Sequence, residues 1–471
     1  MGKKQEAGMN RFINYLVHQK NSIIVAFLIV VILLGTIPIV DIKILGVVPT
    51  FYRVFIPLLA LYFFCKDFRF MRKNLWNSKL KIYKILIFFV IFWLVYGVGQ
   101  IFICSYVEIK VGVQELVGIL LGAISALCIV ECILVYGGFR VIINSVRAVV
   151  VIVTIIGILE MITCKHLDTS MLCSDSYLKA YIDSYGFLPS DGKISAMATG
   201  IFYNVNDFSA WLGVFSSLFF PKRTQKNWVK IAFFVELSII ALIALVNDAW
   251  ICLIAMCIGG IVYLVLVRAR MITCLATILW AGLMKLFVVQ AFFHTVGFVY
   301  STFFPKKQVP QPIAKLIQDG TSQVTEAIEG QIAGMETGRG SLSLRFNTYG
   351  TALKETFSSS FGLGFGPGSF SNYFGALNST NVLLNPHSWW IEILFQYGIV
   401  VLIGFLAVLV YAFILLLKCW KQTQSATYAM ILAMDVILVL ISFAPSSFIG
   451  YSYLWIPIGL TFGVVMKERV N

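Results

Sequence analysis

The sequence predicts an all-α polytopic membrane protein of about twelve transmembrane helices with a large helical extracytoplasmic loop. Three observations carry that class. Of 471 residues, 59% are hydrophobic and only 12% are charged, and the mean hydropathy is +0.89. That composition belongs to a chain that meets lipid, not to a soluble domain with a large core. Apolar stretches near the roughly 20 residues that a bilayer requires recur along the whole chain. Lysine and arginine are segregated to alternate connections between those stretches.

The spans read, in order, 23–40, 48–65, 83–104, 113–136, 141–162, 201–220, 229–246, 249–267, 272–296, 388–417, 426–443 and 451–466. Basic residues cluster before the first span (Lys3, Lys4, Arg11, Lys20) and at 66–84, 221–230, 268–270, 418–421 and 467–469. With twelve spans, all of these fall on one side, which the positive-inside rule makes cytoplasmic together with both termini. The net charge of +14 therefore reports topology and contact with anionic lipid, and no nucleic-acid partner is expected. The first span lacks an Ala-x-Ala cleavage site and reads as retained.

Two external loops are long, 163–195 and 305–386. A loop of some eighty residues in a compact membrane domain tends to be functional. Its segment 313–332 has apolar residues at near-helical spacing, and "SLSLRFNTYGTALKETFSS" reads as a second short helix starting near Ser341 or Ser343. "FGLGFGPGSF" cannot continue as regular helix. Cysteines are scattered through the spans as small apolar packers; Cys164 and Cys173 share an external loop and could pair.

Candidate chemistry gathers at the external ends. His387 stands between Asn385-Pro386 and Trp389-Trp390, where the second loop meets the tenth span. Pro386 biases the chain toward starting the helix just after it, and the two indoles suit the headgroup level. A neutral imidazole there either does helix-start work or accepts a proton from a hydroxyl, with a pKa near 6.5 if unperturbed. Arg345, Arg339 and Arg53 are external guanidinium groups that could grip phosphate oxygens in bidentate fashion. Gly364 and Gly366 form a tight turn that is either a plain loop or one whose backbone N–H groups face a groove or an anion; no Lys-Ser or Lys-Thr follows, so a nucleotide-loop reading is poor. Asn204 and Asn206 open the sixth span, where amides bind sugar hydroxyls or cap the helix. Glu131, Arg147, Glu236, Lys285 and Asp435 fall within spans, which makes them costly in lipid. His166 and His294 are external without obvious partners, and nothing has metal-ligand spacing, so no metal site is expected.

These pieces, "GIFYNVNDFSAWL", "SLSLRFNTYGTAL", "GLGFGPGSF" and "NPHSWWIEILFQYGIVVLIGF", stand in the order seen in the O-antigen ligase and polymerase superfamily, which the chain resembles over roughly 195–415. The resemblance implies a GT-C-like membrane glycosyltransferase on the outer face of the bacterial cytoplasmic membrane. It would use an undecaprenyl-diphosphate-linked glycan donor and a glycan acceptor, without cofactor, metal or nucleotide. Other polysaccharide-assembly proteins are further candidate partners beside the lipid bilayer. On that resemblance 1–200 is an N-terminal transmembrane region and 201–471 the ligase- or polymerase-like region. The family's loop Arg corresponds to Arg345 and its loop His to His387. Where many relatives carry Ser-Arg, this chain has Asn247-Asp248, so either Arg53, Arg339 or Lys193 substitutes in holding the diphosphate, or the donor is held differently. Ser388 and Gln396 replace a frequent Asn and Glu.

The expected activity is polymerisation of lipid-linked repeat units into a surface polysaccharide. A ligase that moves a finished glycan to another acceptor shares the site. A transporter or flippase would instead need broken helices and a midplane site around Lys285, Glu131 or Asp435.

Overall fold

A computed structural model describes residues 21–35, 37, 48–76, 81–168, 170–173, 196–269, 289–303, 341–377, 383–445, 447 and 451–470. The described residues are helical and contain no strand. The helices are α1 (Asn21–Leu33), α2 (Phe51–Trp76), α3 (Lys81–Ile103), α4 (Ile109–Leu134), α5 (Phe139–Thr163), α6 (Val205–Ser216), α7 (Asn227–Val246), α8 (Trp250–Leu266), α9 (Val289–Phe303), α10 (Ser341–Ser358), α11 (Ser369–Ala376), α12 (Trp389–Thr423), α13 (Ala426–Ile441) and α14 (Trp455–Val470). Among them α3 from Tyr83, α4, α5, α7 and α12 are long and apolar enough to cross a membrane, and α1, α8 and α13 are shorter apolar helices. The chain is thus an all-α membrane protein. Among the expected features, Arg339, Lys193, Lys285 and residues 174–195, 305–340 and 378–382 of the two long loops lie outside the described residues.

Small residues set how closely the helices pack. In lipid the hydrophobic effect does not drive helices together, so backbone approach and van der Waals contact must. Gly459 and Gly463 of α14, four apart, lie against Ala126, Ile129 and Ile133 of α4; a Cβ on Gly463 would come within 2.5 Å of Ile133 Cδ1. Gly122 of α4 receives the Trp455 indole in return. Gly259 of α8 makes the same kind of seat for Ile437 of α13.

Polar contacts sort to the two ends. At one end Lys222 Nζ donates to Thr427 Oγ1 at 2.6 Å, Arg223 to the Arg268 carbonyl at 3.0 Å, Tyr428 to Glu468, and Lys66 lies 4.4 Å over the Tyr136 ring. These come from the basic connections. The opposite end gathers α10, α11, the glycine turn, His387 and the 104–108 connection. Intramembrane charges have specific partners: the Arg147 guanidinium donates to the Leu218 carbonyl and stacks over Phe233, and Asp435 accepts from Thr461 Oγ1 at 2.9 Å.

α12 is not the uninterrupted span that the sequence suggests. Gly398 breaks it with φ 80° and ψ 179°. The glycine turn splints that break: Phe365 and Gly366 donate their N–H groups to the carbonyls of Phe395 and Gln396 (2.8 and 2.7 Å), and Ile399 donates to Gly362 (2.9 Å). Backbone groups freed by a kink in a span must find partners, and here a loop supplies them.

Candidate functional site

α10 lies across the first turns of α12 on a second, aromatic core. Ala352, Phe365, Phe370, Tyr373, Phe374, Ile391 and Phe395 form it, with Phe365 and Phe395 stacked at 4.6 Å. The helical spacing of Arg345, Tyr349, Ala352 and Thr356 places these four on the face that meets the protein. That face sets Arg345 and Tyr349 beside the chain leading into α12.

His387 is therefore held from both sides. Its backbone is left-handed, φ 46°, a conformation that costs a non-glycine residue of order 1 kcal/mol or more. The bend turns its carbonyl to the Tyr349 hydroxyl, which donates at 2.8 Å. Pro386 is buried beneath it, and Ser388, extended, precedes the helix. On the other side Trp389 N donates to the Ser442 carbonyl at 3.0 Å, and Ala444 supplies a backbone partner to the imidazole. Nδ1 is buried and has no hydrogen-bond partner among the described residues.

The electrostatics favour the neutral ring. Burial, and then the Arg345 guanidinium, push the His387 pKa down to about 4. Arg345 itself is half-buried and donates from Nη1 to the Phe443 carbonyl at 3.2 Å. Desolvation lowers its pKa too, from a value so high that the charge survives. The Tyr349 hydroxyl is shifted up by burial and stays protonated.

Of the expected site residues, His387 and Arg345 come together here. Arg53 does not join them by any described contact; its Nη1 donates to the Val48 carbonyl at 2.9 Å within its own turn. Asn204 is the N-cap of α6, its Oδ1 accepting from Asn206 N at 2.8 Å, so the capping alternative accounts for it and for the Asn206 amide. The expectation that Gly364 and Gly366 point free N–H groups at a ligand is corrected: Gly364 N donates to Ser360 Oγ at 3.0 Å and Gly366 N to Gln396. The kink of α12 takes up the Gly366 amide, and the turn itself takes up that of Gly364. Arg339 and Lys193 lie outside the described residues.

Other expectations change in detail. Trp389 is 1% exposed, inside the bundle and not at a headgroup belt, while Trp390 is half-buried and packs near Phe405 at 6.3 Å. His166 has a partner, Glu160, at 3.7 Å. Cys164 and Cys173 are free thiols. Asn247 is a clamp: its amide donates to the Ala198 carbonyl and accepts from the Ala198 N–H, both at 2.8 Å, and is 3% exposed. The sequence reading missed Tyr349 and the Ser442–Ala444 carbonyls. Tyr349, one turn after Arg345, could have been found by helical spacing; the carbonyls carry no sequence signal.

The chain matches no protein-family model. It is 26% identical over 406 residues to the teichuronic acid biosynthesis protein TuaE of Bacillus subtilis (strain 168), an alignment covering 84% of this chain and 74% of that protein.

Proposed function

We propose that the chain, like a relative named for teichuronic acid biosynthesis, takes part in making a surface polysaccharide, and that it does so as a membrane glycosyltransferase. The reaction joins lipid-diphosphate-linked oligosaccharide units on the external face of a bacterial cytoplasmic membrane. The twelve-span topology with cytoplasmic termini goes with it, supported by the gathering of basic connections at the end opposite His387.

The observation that carries the proposal is a neutral, buried imidazole with a free Nδ1 beside a desolvated guanidinium. The His387 imidazole takes the proton of an acceptor hydroxyl as that oxygen bonds the anomeric carbon. The bond from that carbon to the lipid diphosphate breaks, and the electron pair leaves with the diphosphate. Arg345 stabilises the charge that develops there, where a low-dielectric surround strengthens it. The imidazolium returns its proton to water. Burial, and then charge repulsion from Arg345, keep the base neutral before reaction, and the departing anion then offsets that repulsion.

A purified assay with an undecaprenyl-diphosphate-linked oligosaccharide as both donor and acceptor tests this. Chain growth that His387→Gln cuts by about 10²–10⁴-fold is the expected result. Near-normal growth by His387→Gln removes the base assignment, and growth only on an added non-lipid acceptor replaces polymerase with ligase.

A further inference from the structure

A cavity of 780 Å³ lies at the far end of α10 from Arg345. Its walls are α3 (Val95, Tyr96, Gly99, Gln100, Ile103), the connection to α4 (Cys104, Ser105, Tyr106) and the stretch from Ser359 into the glycine turn, with Tyr373 of α11. Neither His387 nor Arg345 lines it. Thirteen residues of α10 separate Arg345 from Ser358, about 20 Å along the helix.

Three features define what the cavity takes. Gln100 is 6% exposed; its Nε2 donates to the Leu363 carbonyl at 2.8 Å, while its Oε1 is buried without a partner among the described residues. Gln100 lines the cavity, and a buried acceptor without a partner calls for a donor, such as a hydroxyl. Tyr106 and Tyr373, edge to face at 4.8 Å, offer aromatic surface, with further hydroxyls from Ser359 and Ser360. Behind the rim, Glu355 accepts from Tyr373 Oη and Ser359 Oγ, both at 2.7 Å, and those bonds hold its carboxyl below the usual range. An ionised carboxylate there opposes a phosphate or an acidic sugar. Apolar rings, hydroxyl-seeking groups and a fixed negative charge together fit an uncharged sugar ring.

We propose that this cavity is a holding subsite for an uncharged sugar of the glycan, several residues away from the bond being made. The identity of that glycan rests on the transferase reading above; the binding does not. The subsite would keep the chain on the enzyme between additions.

Gly99 gives a clean probe, because a Cβ built there meets nothing within 4 Å. Gly99→Phe fills the cavity from a helical position that tolerates a side chain, and Tyr106→Ala removes one ring. Full-length protein in lipid nanodiscs is titrated, by calorimetry and saturation-transfer NMR, with a neutral N-acetylhexosamine tetrasaccharide, a uronic-acid tetrasaccharide and inorganic diphosphate. The expected result is saturable binding of the neutral probe, weakened about tenfold or more by Gly99→Phe and by Tyr106→Ala. Arg345→Ala leaves it unchanged, the acidic probe binds less well, and diphosphate does not compete. Absence of saturable neutral binding by the wild type, wild-type binding by folded Gly99→Phe, or preference for the acidic probe overturns the subsite. Should Gly99→Phe fail to fold, Tyr106→Ala alone decides, and wild-type binding by that variant overturns it. A chain whose His387→Gln variant still transfers sugar, but whose neutral binding depends on Gly99, keeps the subsite and loses the mechanism.

Discussion

The Tyr349 hydroxyl donates to the backbone carbonyl of His387 at 2.8 Å, tying the loop helix α10 to the start of the span α12. One hydrogen bond thereby fixes the imidazole relative to Arg345, which sits a turn away on the same helix face. Tyr349→Phe removes the bond and keeps the ring, so a stability loss of about 1 kcal/mol is expected. Transfer should fall more in kcat than in KM, because position and not binding is disturbed. Unchanged kcat in Tyr349→Phe would show that the left-handed turn at His387 holds without it.

The pH dependence follows from the depressed pKa of His387, about 4 against about 6.5 for a free histidine. Neutral imidazole is the active form, so activity persists through pH 6 and falls on the acid side near pH 4. The sequence alone places that fall near 6.5. The same shift sets a stability term. Between pH 6.5 and 4 the unfolded chain takes up a proton that the folded chain refuses. The contribution is full above 6.5 and is lost as pH falls toward 4. A kcat/KM profile with its acid limb at 6.5 would place the ring in water.

His387→Gln should cut transfer by about 10²–10⁴-fold, the usual worth of a general base. Folding and lipid-linked donor binding should remain, measured by thermal melting and by retention of labelled donor. A substitution that keeps a hydrogen-bonding side chain isolates proton transfer from helix-start work.

Arg345→Ala should abolish transfer and Arg345→Lys restore little, since a bidentate fork is lost; the loss of a partner of this kind is worth about 2–5 kcal/mol. Removing the charge also relieves the repulsion on His387, so its pKa rises toward the ordinary value. Histidine-selective ¹⁵N NMR would read that rise, and an unmoved titration would mean that the two groups do not share a field.

The splinted kink predicts opposite outcomes at two glycines. Gly398 has φ 80°, and a Cβ there would stand 2.4 Å from the Gly362 carbonyl oxygen, so Gly398→Ala should prevent the turn from seating and collapse the yield of folded protein. Gly350, in α10 with nothing within 4 Å of a built Cβ, should gain about 0.5–1 kcal/mol as Gly350→Ala. Melting temperatures of the two variants check both.

Class, hydrophobic segments and the segregation of charge were determined by sequence alone, because crossing lipid demands long apolar runs and local charge bias, and both are local in the chain. The motifs around Arg345 and His387 were legible for the same reason. What those residues touch was decided only by tertiary structure. Gly364 and Gly366 read as a ligand-facing turn until the Gly364 amide is seen on Ser360 Oγ and the Gly366 amide on the Gln396 carbonyl, beside the break at Gly398 more than thirty residues on. Asn204 looked equally like a sugar ligand and a cap until its Oδ1 was seen on Asn206 N. Trp389 read as a belt residue, and the return of α13 over it buries it instead. The lowered pKa of His387 likewise comes from burial and from a guanidinium that is forty-two residues away in sequence. Desolvation and through-space charge depend on which segments meet, and no window of sequence contains that.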